Sequence, residues 1–141
     1  MTRFRILCAI LLALPLIGSG GNFIFGFIDP PSGTGFRGEQ ILDAMRAGGL
    51  VQCLAIGHLV LGALLLLPRW RFAAGLLQLP LTCGIFAFNL TLFPPGVALA
   101  SSMLVLNLFV VSDASRLRQL VLGPESDASS ASRGSSAFLS R

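Results

Sequence analysis

The sequence predicts an all-α protein: a polytopic membrane four-helix bundle with a short outer interfacial helix and a disordered C-terminal tail. Three observations predict it. The 141 residues are 54% hydrophobic and only 11% charged, with a mean hydropathy of +0.82. Soluble domains carry roughly 25% charged residues, and a small soluble chain needs polar surface to cover its core. Long stretches carry no charge at all: Ile6 to Ile28, Ala47 to Pro68, and Phe72 to Ser112. The net charge is +4, and its cations are all arginine, placed in pairs at the ends of those stretches. Paired cations at helix ends encode membrane orientation. They form no patch or stripe of the kind that would bind nucleic acid, so a nucleic-acid role is set aside.

The first span is expected over about 6–28. Its start, basic and then apolar, is like that of a signal peptide. The apolar run continues through NFIFGFI, longer than such a peptide needs, so a retained helix is expected. Cys8 lies too early for a lipoprotein attachment site. The second span is expected over 47–68. The turn-forming FPPG, Phe93 to Gly96, splits the last run into spans at 72–93 and 97–115. A spanning helix needs about 20 apolar residues. The fourth is short, and it extends toward Arg116, whose side chain can snorkel to the headgroups. Together, 1–122 form one transmembrane domain. The Ser/Ala-rich segment 123–141 has no periodicity and is expected to be disordered.

Arg3 and Arg5 precede the first span, Arg69 and Arg71 lie between the second and third, and Arg116 and Arg118 follow the fourth. The other side holds Arg37 and Arg46, offset by Asp29, Glu39 and Asp43. The positive-inside rule then puts both termini in the cytoplasm of a bacterial-type inner membrane. The outer loop begins with the Pro/Gly-rich DPPSGTG and ends in a short helix from Glu39 to Ala47. There Ile41, Leu42 and Met45 share a face, with Asp43 and Arg46 turned away. Such a helix lies at the interface or lids an outer pocket.

Six polar side chains stand out in the spans: Asn22, Gln52, His58, Gln78, Asn89 and Asn107. In lipid such groups face the bundle interior. By helical rise, Asn22, Gln52 and Asn89 lie within roughly 10 Å of the outer ends of their spans, and His58 and Asn107 roughly 15 Å deep. Two readings follow. One is a polar cleft open to the outside, floored by His58, whose neutral imidazole could bond a quinone carbonyl or relay a proton. The other is a set of interhelical hydrogen bonds that only hold the helices together. Asn107 is the expected partner of His58 in both. Gly49, Cys53 and Gly57 recur every fourth residue, which predicts a close-packing ridge on the second span. Pro15 and Pro80 fall inside spans, where membrane helices tolerate them.

The chemistry is bounded by what is missing. The spans contain no acid, the chain has one histidine and no lysine, and Cys8, Cys53 and Cys83 lie in apolar runs without metal spacing. Soluble-type catalysis, a haem held by two histidines and a phosphate loop are therefore unsupported. The cysteines read as small hydrophobes.

The order of features resembles the DoxX-like family of small four-helix membrane proteins, over about Arg3 to Leu122. The residues that carry the resemblance are a first helix ending in NFIFGFI and a loop FIDPPSGTG. Then come Gly62-Ala-Leu-Leu-Leu-Leu-x-Arg69, Leu77-x-x-Pro80, and Phe88-x-x-x-x-Phe93-x-Pro95. The family takes its name from a subunit associated with a terminal quinol oxidase and thiosulfate:quinone oxidoreductase. The resemblance implies fold and location more strongly than a reaction. Many members carry glutamate where His58 stands, and many carry histidine where Asn89 stands, so the resemblance does not imply a carboxylate-dependent proton step here. The function expected is an accessory subunit of a redox or quinone-linked membrane system, not an enzyme on its own. It would hold a lipophilic ligand, with quinone possible, or a redox partner subunit near His58 and Asn89. The alternatives are a non-catalytic scaffold or stress-related factor and, with less support, a small transporter.

Overall fold

The computed structural model describes residues 2–28, 33, 35–113 and 117. The chain divides into two units, Met1–Val111 and Ser112–Arg141. Of the second, Ser112, Asp113 and Leu117 are described, and the Leu117 amide donates to the Asp113 carbonyl at 2.9 Å. The expected disordered tail at 123–141, Arg116 and Arg118 lie outside the described residues, as does Asp29.

Every regular element among the described residues is helical. Their order is α1 (Thr2–Phe25), α2 (Arg37–Ala47), α3 (Leu50–Leu66), α4 (Arg71–Leu92), a 3-10 turn (Pro94–Gly96) and α5 (Val97–Val111). Three stretches are long and apolar enough to cross a membrane: Arg3–Phe25, Arg71–Leu92 and Pro94–Val111. Within the expected second span at 47–68 the helix runs from Leu50 to Leu66. α3 has 17 residues, and α2 meets it at an 89° bend. The Gly48-Gly49 pair makes that corner: Gly48 ends α2, and Gly49 takes φ +76°, a left-handed conformation that costs a side-chain-bearing residue about 1–2 kcal/mol. At the short rise of a helix, α3 alone is about 25 Å long, at the lower limit for a span.

Local chemistry sets the other ends. α1 stops at Gly26, φ +65°, whose amide donates to the Asn22 carbonyl at 2.8 Å. α3 stops before Pro68, and its exposed carbonyls are taken up by Arg71, whose Nε donates to Leu65 O at 3.0 Å and Nη2 to Leu66 O at 3.4 Å. A guanidinium on the last carbonyls also complements the negative end of the helix dipole.

α1, α3, α4 and α5 pack in a ring, most closely as the pairs α1/α3 and α4/α5. Both pairs are antiparallel. A Cβ on Gly20 would lie 2.6 Å from Ala55 O, while one on Gly62 would lie 2.8 Å from Ile17 Cγ1. Gly75 meets Val110 and Val111 in the same manner. α2 sits on the end of α4, with Gly38 close to Leu92 O and the Phe36 and Phe93 rings 5.6 Å apart.

The core is a stripe of α1, Cys8, Ala9, Leu12, Ala13 and Leu16, closed by Leu65, Ala74, Met103 and Val110. Its spacing of three and four is one helix face. Beside this apolar core, polar side chains are also buried and large apolar ones face outward. Gln78, Thr82 and Asn107 are fully buried, while Leu14 is 62% and Leu77 63% exposed. Apolar side chains directed outward from the helices suit hydrocarbon as solvent.

Candidate functional site

Two polar constellations occupy the two tight helix pairs. In α1/α3, the Ser19 hydroxyl donates to Leu16 O at 3.1 Å and lies 3.3 Å from His58 Nδ1. A hydroxyl has one proton. Whether that proton goes to the Leu16 carbonyl or to Nδ1 follows the imidazole tautomer, which also sets whether Nε2 presents a lone pair or an N–H. Nε2 is buried and has no partner in the protein.

In α4/α5, Asn107 points from α5 onto the turn of α4 that precedes Pro80. A carbonyl oxygen can only accept and an amide N–H can only donate, which fixes the orientation of the Asn107 amide. Nδ2 donates to Gly75 O at 2.9 Å, and Oδ1 accepts from Leu79 N–H at 3.1 Å and from the Thr82 hydroxyl at 2.9 Å. Gly75 makes this possible, because a Cβ there would stand 3.5 Å from the Asn107 carboxamide and 2.8 Å from Val110. The expected pairing of His58 with Asn107 is therefore not formed. Each belongs to a different helix pair and has its own partners.

The remaining expected site residues are placed as follows. Asn22 closes the loop after α1: its Nδ2 donates to Ile28 O at 2.8 Å and its Oδ1 accepts from Ile28 N at 2.6 Å. Gln52 lies exposed in the first turn of α3. Asn89 donates to Ile85 O in its own helix at 2.8 Å, and its amide occupies the place a Cβ on Gly96 would need. The structure thus does not gather Asn22, Gln52 and Asn89 around His58. The expected ridge of Gly49, Cys53 and Gly57 also needs correction. Gly49 is the corner before α3, Cys53 is exposed, and a Cβ on Gly57 would meet nothing within 4 Å. In the α1/α3 and α4/α5 pairs the close-approach glycines are Gly20, Gly62 and Gly75. Spacing by four marks a face but does not say whether a helix covers it.

Gln78 carries more weight than its sequence context suggests. It is fully buried in α4, and both Nε2 and Oε1 lack partners. The available signal was its neighbourhood, Gly75 at i−3 and Thr82 at i+4, which marks a small, polar and inward-facing stripe. Two orphaned groups result, an imidazole on α3 and a carboxamide on α4, and each can hydrogen-bond an uncharged partner.

Comparisons with protein families, with curated proteins and with solved structures return no match for this chain.

Proposed function

We propose that the chain is a DoxX-like four-pass protein of the inner membrane, with α2 and α3 together forming the fourth, bent pass and both termini in the cytoplasm. In this reading it is an accessory component of a redox or quinone-linked membrane system. It holds an uncharged lipophilic ligand of the quinone class for a partner subunit. One observation carries the reading: His58 Nε2 is buried in an apolar helix with no protein group to bond it. Burying a polar group without a hydrogen bond costs about 1–3 kcal/mol, a cost that a ligand would offset.

The membrane part of the proposal is supported by three helices of spanning length and by the outward-facing leucines. The ligand part is tested by titrating a short-chain benzoquinone analogue, in its oxidised and reduced forms, into the protein purified in detergent. The native protein binds one of the two, and His58→Ala weakens that binding at least about tenfold, the value of one lost hydrogen bond of about 1.4 kcal/mol. Absence of binding by either form to the native protein ends the proposal. A second reading, a scaffold without ligand, is favoured by Asn107, whose three bonds all serve helix packing. It predicts that same absence of binding.

A further inference from the structure

From Ile6 to Ile28 the chain carries no charge, yet α1 stops at Phe25. Phe27 (76%), Ile28 (71%) and Phe25 (69%) are the three most exposed large apolar side chains among the described residues. The Phe25 and Phe27 rings stack, with centroids 5.5 Å apart and planes 27° from parallel. Gly26, φ +65°, makes the corner between them. A Cβ there would meet nothing within 4 Å, so the turn projects from the helices. Its backbone is nonetheless tied back to α1. The Asn22 carboxamide takes both backbone polar groups of Ile28, Nδ2 donating to O at 2.8 Å and Oδ1 accepting from N at 2.6 Å. The Asn22 carbonyl accepts from Gly26 N at 2.8 Å. In water such groups can be left to solvent, whereas at the edge of hydrocarbon each unbonded one is costly.

We infer that the turn at 25–28 is a lipid-docking element. It lies at the outer boundary of the bilayer with Phe27 and Ile28 against the acyl chains, and Asn22 is the clamp that lets its backbone stay there. The inference rests on the membrane part of the reading above and needs no ligand. Height supports it. Arg5 to Phe25 is about 30 Å along α1, the hydrocarbon thickness of a bilayer. With Arg5 at one headgroup layer, α1 delivers the turn to the other, not to bulk water. Apolar side chains of interfacial elements insert about 5–10 Å at that boundary. The occupant follows from continuity. Leu14 and Phe25 are separated by about three helical turns, share one face of α1 and are both exposed. One lipid-facing surface therefore runs from mid-span onto the turn. It contains no charged residue, so the chemistry it recognises is the acyl chain and not an anionic headgroup.

The test puts one tryptophan at a time into the full chain, with Trp70→Phe removing the native one, in phosphatidylcholine vesicles. Bromines on the acyl chains, near the headgroup or near the chain end, quench a tryptophan at their own depth. Iodide on both sides of the membrane quenches one in water. Phe27→Trp is expected to be quenched more by the shallow bromines than by the deep ones, and hardly by iodide. Leu14→Trp is the mid-span reference and is expected to respond most to the deep bromines. Adding Asn22→Ala to Phe27→Trp is expected to raise the ratio of iodide to bromine quenching about tenfold, the effect of leaving one backbone group without a hydrogen bond. Leu14→Trp in the same Asn22→Ala chain reports that α1 is still inserted, and the Phe27→Trp result on native Asn22 stands without that variant. If Phe27→Trp answers to iodide while Leu14→Trp keeps its deep bromine quenching, the docking turn falls and the membrane reading stands. If both answer to iodide, both fall. Shielding of Phe27→Trp from bromines and iodide alike would mean that protein, a second copy or a partner, covers the turn, and would overturn the lipid assignment. An unchanged ratio in Asn22→Ala would overturn the clamp.

Discussion

Ser19 Oγ and His58 Nδ1 stand 3.3 Å apart across the α1/α3 interface, between two points where the helix backbones nearly touch. Gly20 follows Ser19 directly, and Gly62 lies one turn beyond His58. The close approach at these glycines brings a short serine side chain within reach of an imidazole. The pair therefore depends on its neighbours, and its energy is expected to be coupled. Ser19→Ala should lower stability by about 0.6 kcal/mol, and by no more than about 1.7, the range for interhelical hydrogen bonds in membrane proteins. Thermal unfolding of Ser19→Ala, His58→Phe and the double variant in one detergent gives the coupling. Strict additivity would mean that the two side chains do not interact.

The glycines give a sharper contrast. A methyl group on Gly20 would lie 2.6 Å from the Ala55 carbonyl, a backbone atom that cannot swing aside. Gly20→Ala should destabilise the protein by about 1–3 kcal/mol through overpacking. Gly57→Ala introduces a methyl group with no atom within 4 Å, so only helix propensity remains, and the change should be neutral or stabilising by up to about 1 kcal/mol. The melting temperatures of these two single variants should move in opposite directions. The reverse order would place the contact ridge on Gly57 and remove the α1/α3 packing described above.

Much of the fold was legible in the sequence, and the reason is solvent. Uncharged stretches bounded by charged residues, the last one split by FPPG, marked α1, α4 and α5 to within a few residues, because a charge ends a helix's tolerance for hydrocarbon. FPPG marked the 3-10 turn because two prolines cannot continue α4. The corner at Gly49 was hidden inside an uncharged run, since hydropathy does not register a left-handed backbone. The site was less legible. Counting residues along a helix gives height, whereas partners are set by which face meets which neighbour. Asn107 and His58 shared an expected depth but lie in different interfaces. Asn107 is bonded chiefly to α4 backbone, which no side-chain pattern announces. Gln78 was visible as a polar residue, but only the packed structure leaves its amide without a partner.

Asn107 offers a third test. Its amide bonds Gly75 O, Leu79 N–H and Thr82, so a leucine of similar volume would remove three buried hydrogen bonds beside Pro80, in a helix that already lacks one amide there. Asn107→Leu should cost about 1–3 kcal/mol. Thr82→Val removes one of the three bonds and should cost less. Both effects are read by thermal unfolding. Thr82→Val exceeding Asn107→Leu would show that the backbone contacts around Pro80 are not made.

The layout in the membrane turns on α3. At 17 residues it is the shortest candidate pass, and α2 meets it at 89°. If α2 lies along the interface and α3 crosses, residue 33 and residue 70 are on opposite sides. If the bent pair is re-entrant, they are on the same side. The arginines favour crossing. Arg3 and Arg69, both exposed, fall on one side because α1 and α3 are antiparallel. A re-entrant pair would place one of these two cations on the outer face, against the positive-inside bias. Reporter fusions that are active only outside the cytoplasm are therefore expected to be active after Gly33 and after Gly96, and silent after Trp70. Activity after both Gly33 and Trp70 would reduce the passes to three. The depth of His58 would then have to be counted from a different surface of the membrane.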